Sequence, residues 1–379
     1  MSSKIHILTS CFYPELHPRA FRAFELAKEF VRQGDDVQVT ILTRVLGVDY
    51  EAMQQEYGFH IQIIDLYQRQ LGQAGQTGMS LTSGNPFMQK LYTIYRWLLE
   101  YLLAGNLLRY APKIAKQLVV QPDTDLFISL STPFMDIMAG ALYHKRHSLI
   151  HTRFIADSGD PFSGSQQTKR AFYWRWAEKW VYSYYDYLTI PTQAAIPAYK
   201  NVISTDKIRI IPQGFDFSAT PIAKYRKNEV PTFAYAGVFY QDIRNPEFLL
   251  EYLAEQKIPF LFRIYLRLKD PLTDTIINKY REQLGDRLEI RYGVERKQLI
   301  YELSQCDFLV NVGNSNSTQL PSKLIDYGIT KRPVFQCNKA HFDKLVFEQF
   351  LAFNYTAAQP IDIAPYAIET IVKSYKKLN

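Results

Sequence analysis

Cysteine is scarce: Cys11, Cys306 and Cys337 are the three in 379 residues. An odd number without close spacing argues against a disulfide framework and a cysteine-built metal site, and it fits a reducing cytoplasmic compartment. Long apolar runs are also missing. The aromatic stretch from Phe87 to Leu118 is interrupted by Arg96 and Glu100, which makes it a poor membrane-spanning helix. The opening MSSKIHILTSCFYPEL lacks a charged start, a long apolar run and a small-residue cleavage site, so it is expected to be a first strand and not a signal peptide. No G-x-G-x-x-G follows that strand and no P-loop occurs, which removes nicotinamide enzymes and P-loop phosphotransferases. There is no Cys/His finger, no RNA-binding aromatic signature and no long Lys/Arg block, so no nucleic-acid partner is expected.

What is present describes a globular chain of 47% apolar residues, long enough for two cores. The net charge of +7 is a mild excess, suited equally to a membrane surface or a phosphorylated small molecule. KIHILTS, DDVQVTILT, FHIQIIDLY, TDLFISLS, SLIHTRFIA and YDYLTIPT read as strands separated by helical patterns; the first helix carries Ala20, Ala23, Phe24, Ala27, Phe30 and Val31 on one face and ends at Gly34. TFAYAGV, FLFRIYL, RLEIRYG, DFLVNVG and PVFQC repeat the rhythm. Strands alternating with helices predict parallel sheets, here two Rossmann-like α/β domains facing across a cleft. The expected division is 1–193 and 194–363, with a last helix, 364–379, packing back on the first domain. The Pro-rich and charged stretch after Phe217 marks the region near the hinge.

Three segments carry open alternatives. Gly72 to Pro86, rich in Gly, Gln, Ser and Thr, is either an active-site loop or disorder. The following helices, with Lys90, Arg96, Arg109, Lys113 and Lys116 among aromatics, either lie on a membrane or pack beneath the sheet. Asn314 to Thr318 precede Pro321, which suits a first helical position, so a helix start there is capped by its own side chains or receives an anion.

Four motifs in order point further. The loop and helix FYPELHPRAFRAFELAKEFVRQGDDVQVTILT, the DSGDPF of Asp157–Phe162, KIRIIPQGFD and LPSKLIDYGITKRPVF together resemble the GT-B fold retaining glycosyltransferases of the large family 4-like group that builds bacterial surface polysaccharides. That resemblance implies a nucleotide-sugar donor in the second domain and a saccharide or polyprenyl-linked acceptor in the first. It also implies no metal or other cofactor, and leaving-group-assisted attack on the same sugar face. Its donor residues would be Gly237, Gly293, Val294, Ser315, Ser317, Thr318, Ser322, Lys323, Leu324 and Asp326. Arg244 would stabilise the leaving diphosphate, Gly293 and Val294 would read the base through backbone, and Asp326 would hold the ribose. Asp160 would act at the transferred sugar or acceptor, with His17 and Arg19 on the acceptor side. For Lys323 a solvated surface role is the alternative, for Asp160 a helix cap, and for His17 and Arg19 a surface turn. The chain departs from the family at Thr318, where a glutamate is usual, at Val238 and Phe239 in place of an arginine, and at Gly159 in place of a histidine.

Asp123 and Asp125 imitate a metal-binding D-x-D but precede a strand as a turn would, and His144, His147 and His151 imitate metal ligands. FYWRWAEKWVYSYYDY is an aromatic helix suited to core or to a lipid-facing surface. The expectation is a cytoplasmic transferase in polysaccharide, lipopolysaccharide or capsule synthesis, with peripheral contact at the inner membrane face. The rivals are a nucleotide-sugar epimerase and a non-catalytic partner subunit.

Overall fold

Strands buried on both faces dominate the chain, because every parallel connection returns through a helix that covers one face of the sheet. The computed structural model describes residues 2–15, 17–69, 86–104, 108–131, 133–147, 149–165, 168–218, 220–239, 245–267, 269, 271–313 and 322–379. The chain forms two units, Met1–Phe215 with Tyr366–Asn379, and Asp216–Pro365.

The first unit runs β1 (Lys4–Thr9), α1 (Pro18–Arg32), β2 (Asp36–Val45), α2 (Tyr50–Tyr57), β3 (His60–Arg69), α3 (Pro86–Leu103), α4 (Ala111–Gln117), β4 (Leu126–Ser131), α5 (Met135–Arg146), β5 (Arg153–Ser158), α6 (Tyr173–Tyr182), β6 (Tyr187–Ile190) and β7 (Ile208–Ile210). The second runs β8 (Thr232–Ala236), α7 (Glu247–Glu255), β9 (Leu261–Leu266), α8 (Pro271–Leu284), β10 (Leu288–Tyr292), α9 (Arg296–Ser304), β11 (Phe308–Val312), α10 (Ser322–Thr330), β12 (Val334–Cys337) and α11 (Lys344–Leu351); α12 (Ile368–Lys376) then closes the first unit. The sheets have orders β3-β2-β1-β4-β5-β6-β7 and β10-β9-β8-β11-β12. All pairings are parallel.

The chain therefore divides at Phe215/Asp216, farther along than the 193/194 of the sequence reading. The reason is β7: Ile208–Ile210 pairs with β6 and extends the first sheet. The C-terminal α12 packs through Ile368, Ile371, Val372 and Tyr375 into the same core as Phe30 and Ile211, and Phe215 and Ala367 form a parallel bridge.

The sheet cores are dense in aromatics. Phe233 stacks on Phe262 and Phe308 at 4.8 and 4.7 Å in the second unit, and Phe127 lies 4.8 Å from Phe154 in the first. Gly140 of α5 lies where a Cβ would collide with the hydroxyls of Ser129 and Tyr185, a pair joined at 2.8 Å and carried on to the Ile137 carbonyl. Gly140→Ala is expected to cost about 1–3 kcal/mol of first-unit stability, read from the urea midpoint; an unchanged midpoint would show that this pair moves freely.

Of the helices after Pro86, α4 packs into the first core through Ala111, Ile114 and Ala115, whereas on α3 the side chains from Thr93 to Leu98 are exposed. The Gly- and Gln-rich segment before Pro86 lies outside the described residues.

Candidate functional site

In the second unit β8 and β11 pair only at Phe233–Phe308 and Ala234–Leu309, and beyond that point they part. The gap is filled from α10: the Tyr327 hydroxyl accepts from Ala236 N at 2.8 Å and donates to the Val310 carbonyl at 3.2 Å. Strand order reverses here, and in open α/β sheets the crevice outside the carboxyl ends at such a reversal is where ligands sit. Glycine lines it. Gly237 follows β8 with φ +146°, donating to the Tyr265 carbonyl at 3.0 Å, and a Cβ there would stand 3.0 Å from the Tyr235 hydroxyl. Gly293 follows β10 with φ +65° and donates to Leu266 at 2.9 Å. Backbone at such φ values approaches a ligand closely without strain only as glycine.

Lys323, in the first turn of α10, reaches back over this opening. Its Nζ donates to the Val312 carbonyl at 3.1 Å and lies 4.8 Å from the Tyr235 ring centroid. Leu324 is buried beside Tyr327 against β8 and β11, which orients the helix start. Asn311, at 4% exposure, keeps its Oδ1 without a hydrogen-bond partner among the described residues. Val294 packs on the same cluster as Leu324. Asp326 accepts from Arg296 of α9 at 3.1 and 2.5 Å; burial pushes its carboxyl up, and the guanidinium opposes that shift. Ser315, Ser317, Thr318 and Arg244 lie outside the described residues, and Ser322 opens α10.

The first sheet reverses between β1 and β4, which stay paired as far as Thr9–Leu130, and a side chain from the following helix ties down the residue after β1. Asp136 of α5 accepts from Ser10 N at 2.7 Å, and its other oxygen bonds the Ser10 hydroxyl. Burial pushes this carboxyl up to about 8 against both Ser10 bonds. At the end of β5 stands Asp157, buried among Arg19, Arg22, Thr189 and Tyr375. Arg22 Nε and Nη2 donate to it at 3.0 and 2.7 Å, Thr189 donates at 2.9 Å, and Arg19 and the Tyr375 hydroxyl also bond it. Burial alone would raise the Asp157 carboxyl, but the two guanidiniums outweigh it and hold it well below the usual carboxylate range.

Arg19 is therefore a buried partner of Asp157 and not a residue of a surface turn. A Cβ at position 159 would stand 3.1–3.2 Å from Arg19, so Gly159 makes room for that side chain. His17 caps α1, its Nδ1 accepting from Arg19 N at 3.2 Å. Asp160 is exposed, with its carbonyl accepting from the Ser158 hydroxyl.

Asp157, Arg22, Thr189 and Tyr375 escaped the sequence reading. The available signal was an acidic residue inside the apolar strand FIADS, since a buried charge demands a partner, and Arg19 and Arg22 share a helix face three residues apart. The Asp123–Asp125 pair clamps the start of β1: Asp125 accepts from Lys4 N at 2.8 Å and Asp123 from Lys4 Nζ at 2.5 Å. His144 stacks on Phe154 at 4.0 Å with Nδ1 bonded to the Tyr184 carbonyl. Among the described residues no group of three His, Cys, Asp or Glu could hold a metal ion.

No protein-family model and no curated protein sequence matches the chain. Solved structures do. A glycosyltransferase from Rickettsia africae ESF-5 superposes with a TM-score of 0.55 at 12% identity, covering 100% of this chain and 98% of that one. Anabaena Alr3699/HepE, in complex with UDP and glucose, gives 0.51 at 10% identity over 99% and 98%. The lipopolysaccharide outer core galactosyltransferase WaaB in its apo form gives 0.52 at 10% identity, again over 99% and 98%. The two parallel-sheet units of this chain are thus those of the GT-B glycosyltransferase fold.

Proposed function

We propose that the protein is a glycosyltransferase that takes a sugar from a nucleotide-sugar donor held by the second unit and passes it to a saccharide or lipid-linked saccharide acceptor held by the first. The observation that carries this reading is the parting of β8 and β11 beneath Lys323 and the start of α10. A helix start offers unpaired N–H groups and the positive end of its dipole, and an ammonium beside it neutralises phosphate without a metal ion. The fold shared with HepE, solved with UDP and glucose, and with WaaB supports a UDP-sugar and a surface-polysaccharide role.

In this reading the hydroxyls of Ser315, Ser317, Thr318 and Ser322 hydrogen-bond the diphosphate together with Lys323. Gly293 and Val294 present backbone to the base, and Gly237 lets the donor approach the end of β8. Asp326 exchanges its Arg296 bond for ribose hydroxyls. Arg244 stabilises the charge that grows on the leaving diphosphate, which can then take the acceptor proton as attack occurs on the same face, giving retention. His17 and Asp160 serve the acceptor, and Arg19 acts through Asp157 by holding the end of β5.

Thermal-shift measurement against UDP-, GDP- and dTDP-sugars tests this. A cognate donor at about a hundred times its Kd adds about 2.7 kcal/mol, a rise of several degrees in Tm. No shift with any nucleotide would remove the donor site. Thr318, where the family carries a carboxylate beside the sugar, favours a second reading as a non-catalytic partner subunit. Donor binding without sugar transfer to any saccharide acceptor would support that alternative.

A further inference from the structure

Among its described residues the first unit carries an exposed apolar face. On α3, Ile94, Trp97, Leu98, Tyr101 and Leu102 recur at the spacing of a single helical face, opposite Gln89, Thr93, Arg96 and Glu100. An amphipathic helix ordinarily turns such a face to its own core. Here Trp97 is 54% exposed, and Ile94, Leu98 and Leu102 are exposed with it. The end of α3 is tied to the start of α6: Ala171 N donates to the Tyr101 carbonyl at 2.9 Å, Trp174 Nε1 to the Leu102 carbonyl at 3.0 Å, and Arg170 pairs with Glu100 at 2.9 Å. Beside that junction α6 adds Phe172, 73% exposed, and Trp176, 69% exposed. Trp180 follows one turn on, with Lys145 Nζ 5.4 Å from its ring centroid.

Charge identifies the occupant. The basic residues Lys90, four positions before Ile94, Lys169, two before Ala171, and Lys179, next to Trp180, are exposed. The two acidic residues of α3 and α6 are committed elsewhere, Glu100 to Arg170 and Glu178, buried, to Ser163. An apolar and aromatic face rimmed by unopposed positive charge complements an anionic lipid surface, whereas a second copy would set like charges against each other. No described helix is long and apolar enough to cross a membrane, and the polar stripe of α3 suits a helix lying in the plane. We propose that α3 and α6 together form a docking face for an anionic lipid bilayer, with Trp97 and Trp176 entering the headgroup region.

The chain's four tryptophans, Trp97, Trp174, Trp176 and Trp180, all lie on these two helices, so its emission reports on this face. The full chain is mixed with vesicles of phosphatidylcholine alone and of phosphatidylcholine with about one-third phosphatidylglycerol. Expected are co-sedimentation and a blue shift with the anionic vesicles only, with binding falling about tenfold or more as salt rises to about 0.5 M. The double variant Trp97→Glu/Trp176→Glu is expected to lose vesicle binding about tenfold or more while keeping the urea midpoint and any nucleotide-induced thermal shift. A chain that stays in the supernatant with both vesicle types overturns the proposal, as does binding indifferent to the double variant. A wild-type dimer that the variant dissociates without lipid would also overturn it by assigning the face to a second copy. None of these readouts needs a donor sugar, so failure here is separate from failure of the transferase reading.

Discussion

Replacing Asp157 by Ala is expected to lower the stability of the first unit by about 3–5 kcal/mol, because it leaves two buried guanidiniums without their counter-charge. Arg22 would keep the Ile211 and Pro212 carbonyls and the Tyr375 hydroxyl, but those neutral acceptors do not balance a buried cation. The same substitution removes the link between Tyr375 on α12 and the end of β5, so the C-terminal helix should loosen first. Urea denaturation and amide exchange along Ile368–Lys376 would read both effects; a midpoint unchanged within error would show that the network is not a source of stability. The sign with pH follows from the depressed carboxyl. The contribution of Asp157 is fully present above the ordinary aspartate value of about 4 and is lost as pH falls below it through the folded value. The wild type should therefore approach the variant in stability under acid conditions and separate from it at neutral pH.

Lys323→Ala is expected to weaken UDP binding about ten- to a hundredfold, the effect of losing a charge-assisted bond of about 1.5–3 kcal/mol to phosphate. Uridine, which has no phosphate, should bind the wild type and this variant alike. Asp326→Ala should instead weaken uridine and UDP together, since its proposed partner is the ribose. Isothermal titration with the two ligands and two variants separates the roles. If Lys323→Ala weakened uridine as strongly as UDP, the lysine would be supporting the fold at Val312 and Tyr235 rather than meeting phosphate.

Much of the architecture was legible because it is written in short-range patterns. Apolar runs four to six residues long between helical periods mark β4, β8 and β11, and their alternation with helices already implies parallel sheets. The glycines after β8 and β10 and the lysine in the first turn of α10 were legible too, since turn chemistry and a helix start are local features. The buried charge network of the first unit was not. Within DSGDPF, Asp160 is exposed, while Asp157 is buried and bonded to five groups from four other side chains.

By itself, then, the sequence determined the order and type of the elements and the two-sheet plan, because helical and strand periods are set within a few residues. Only the tertiary structure decided which charges are buried together and that Ile208–Ile210 joins the first sheet. Asp157 meets Arg19 across 138 positions and Tyr375 across 218. No local period encodes such a meeting; it exists only once packing has removed the water that would otherwise solvate each charge.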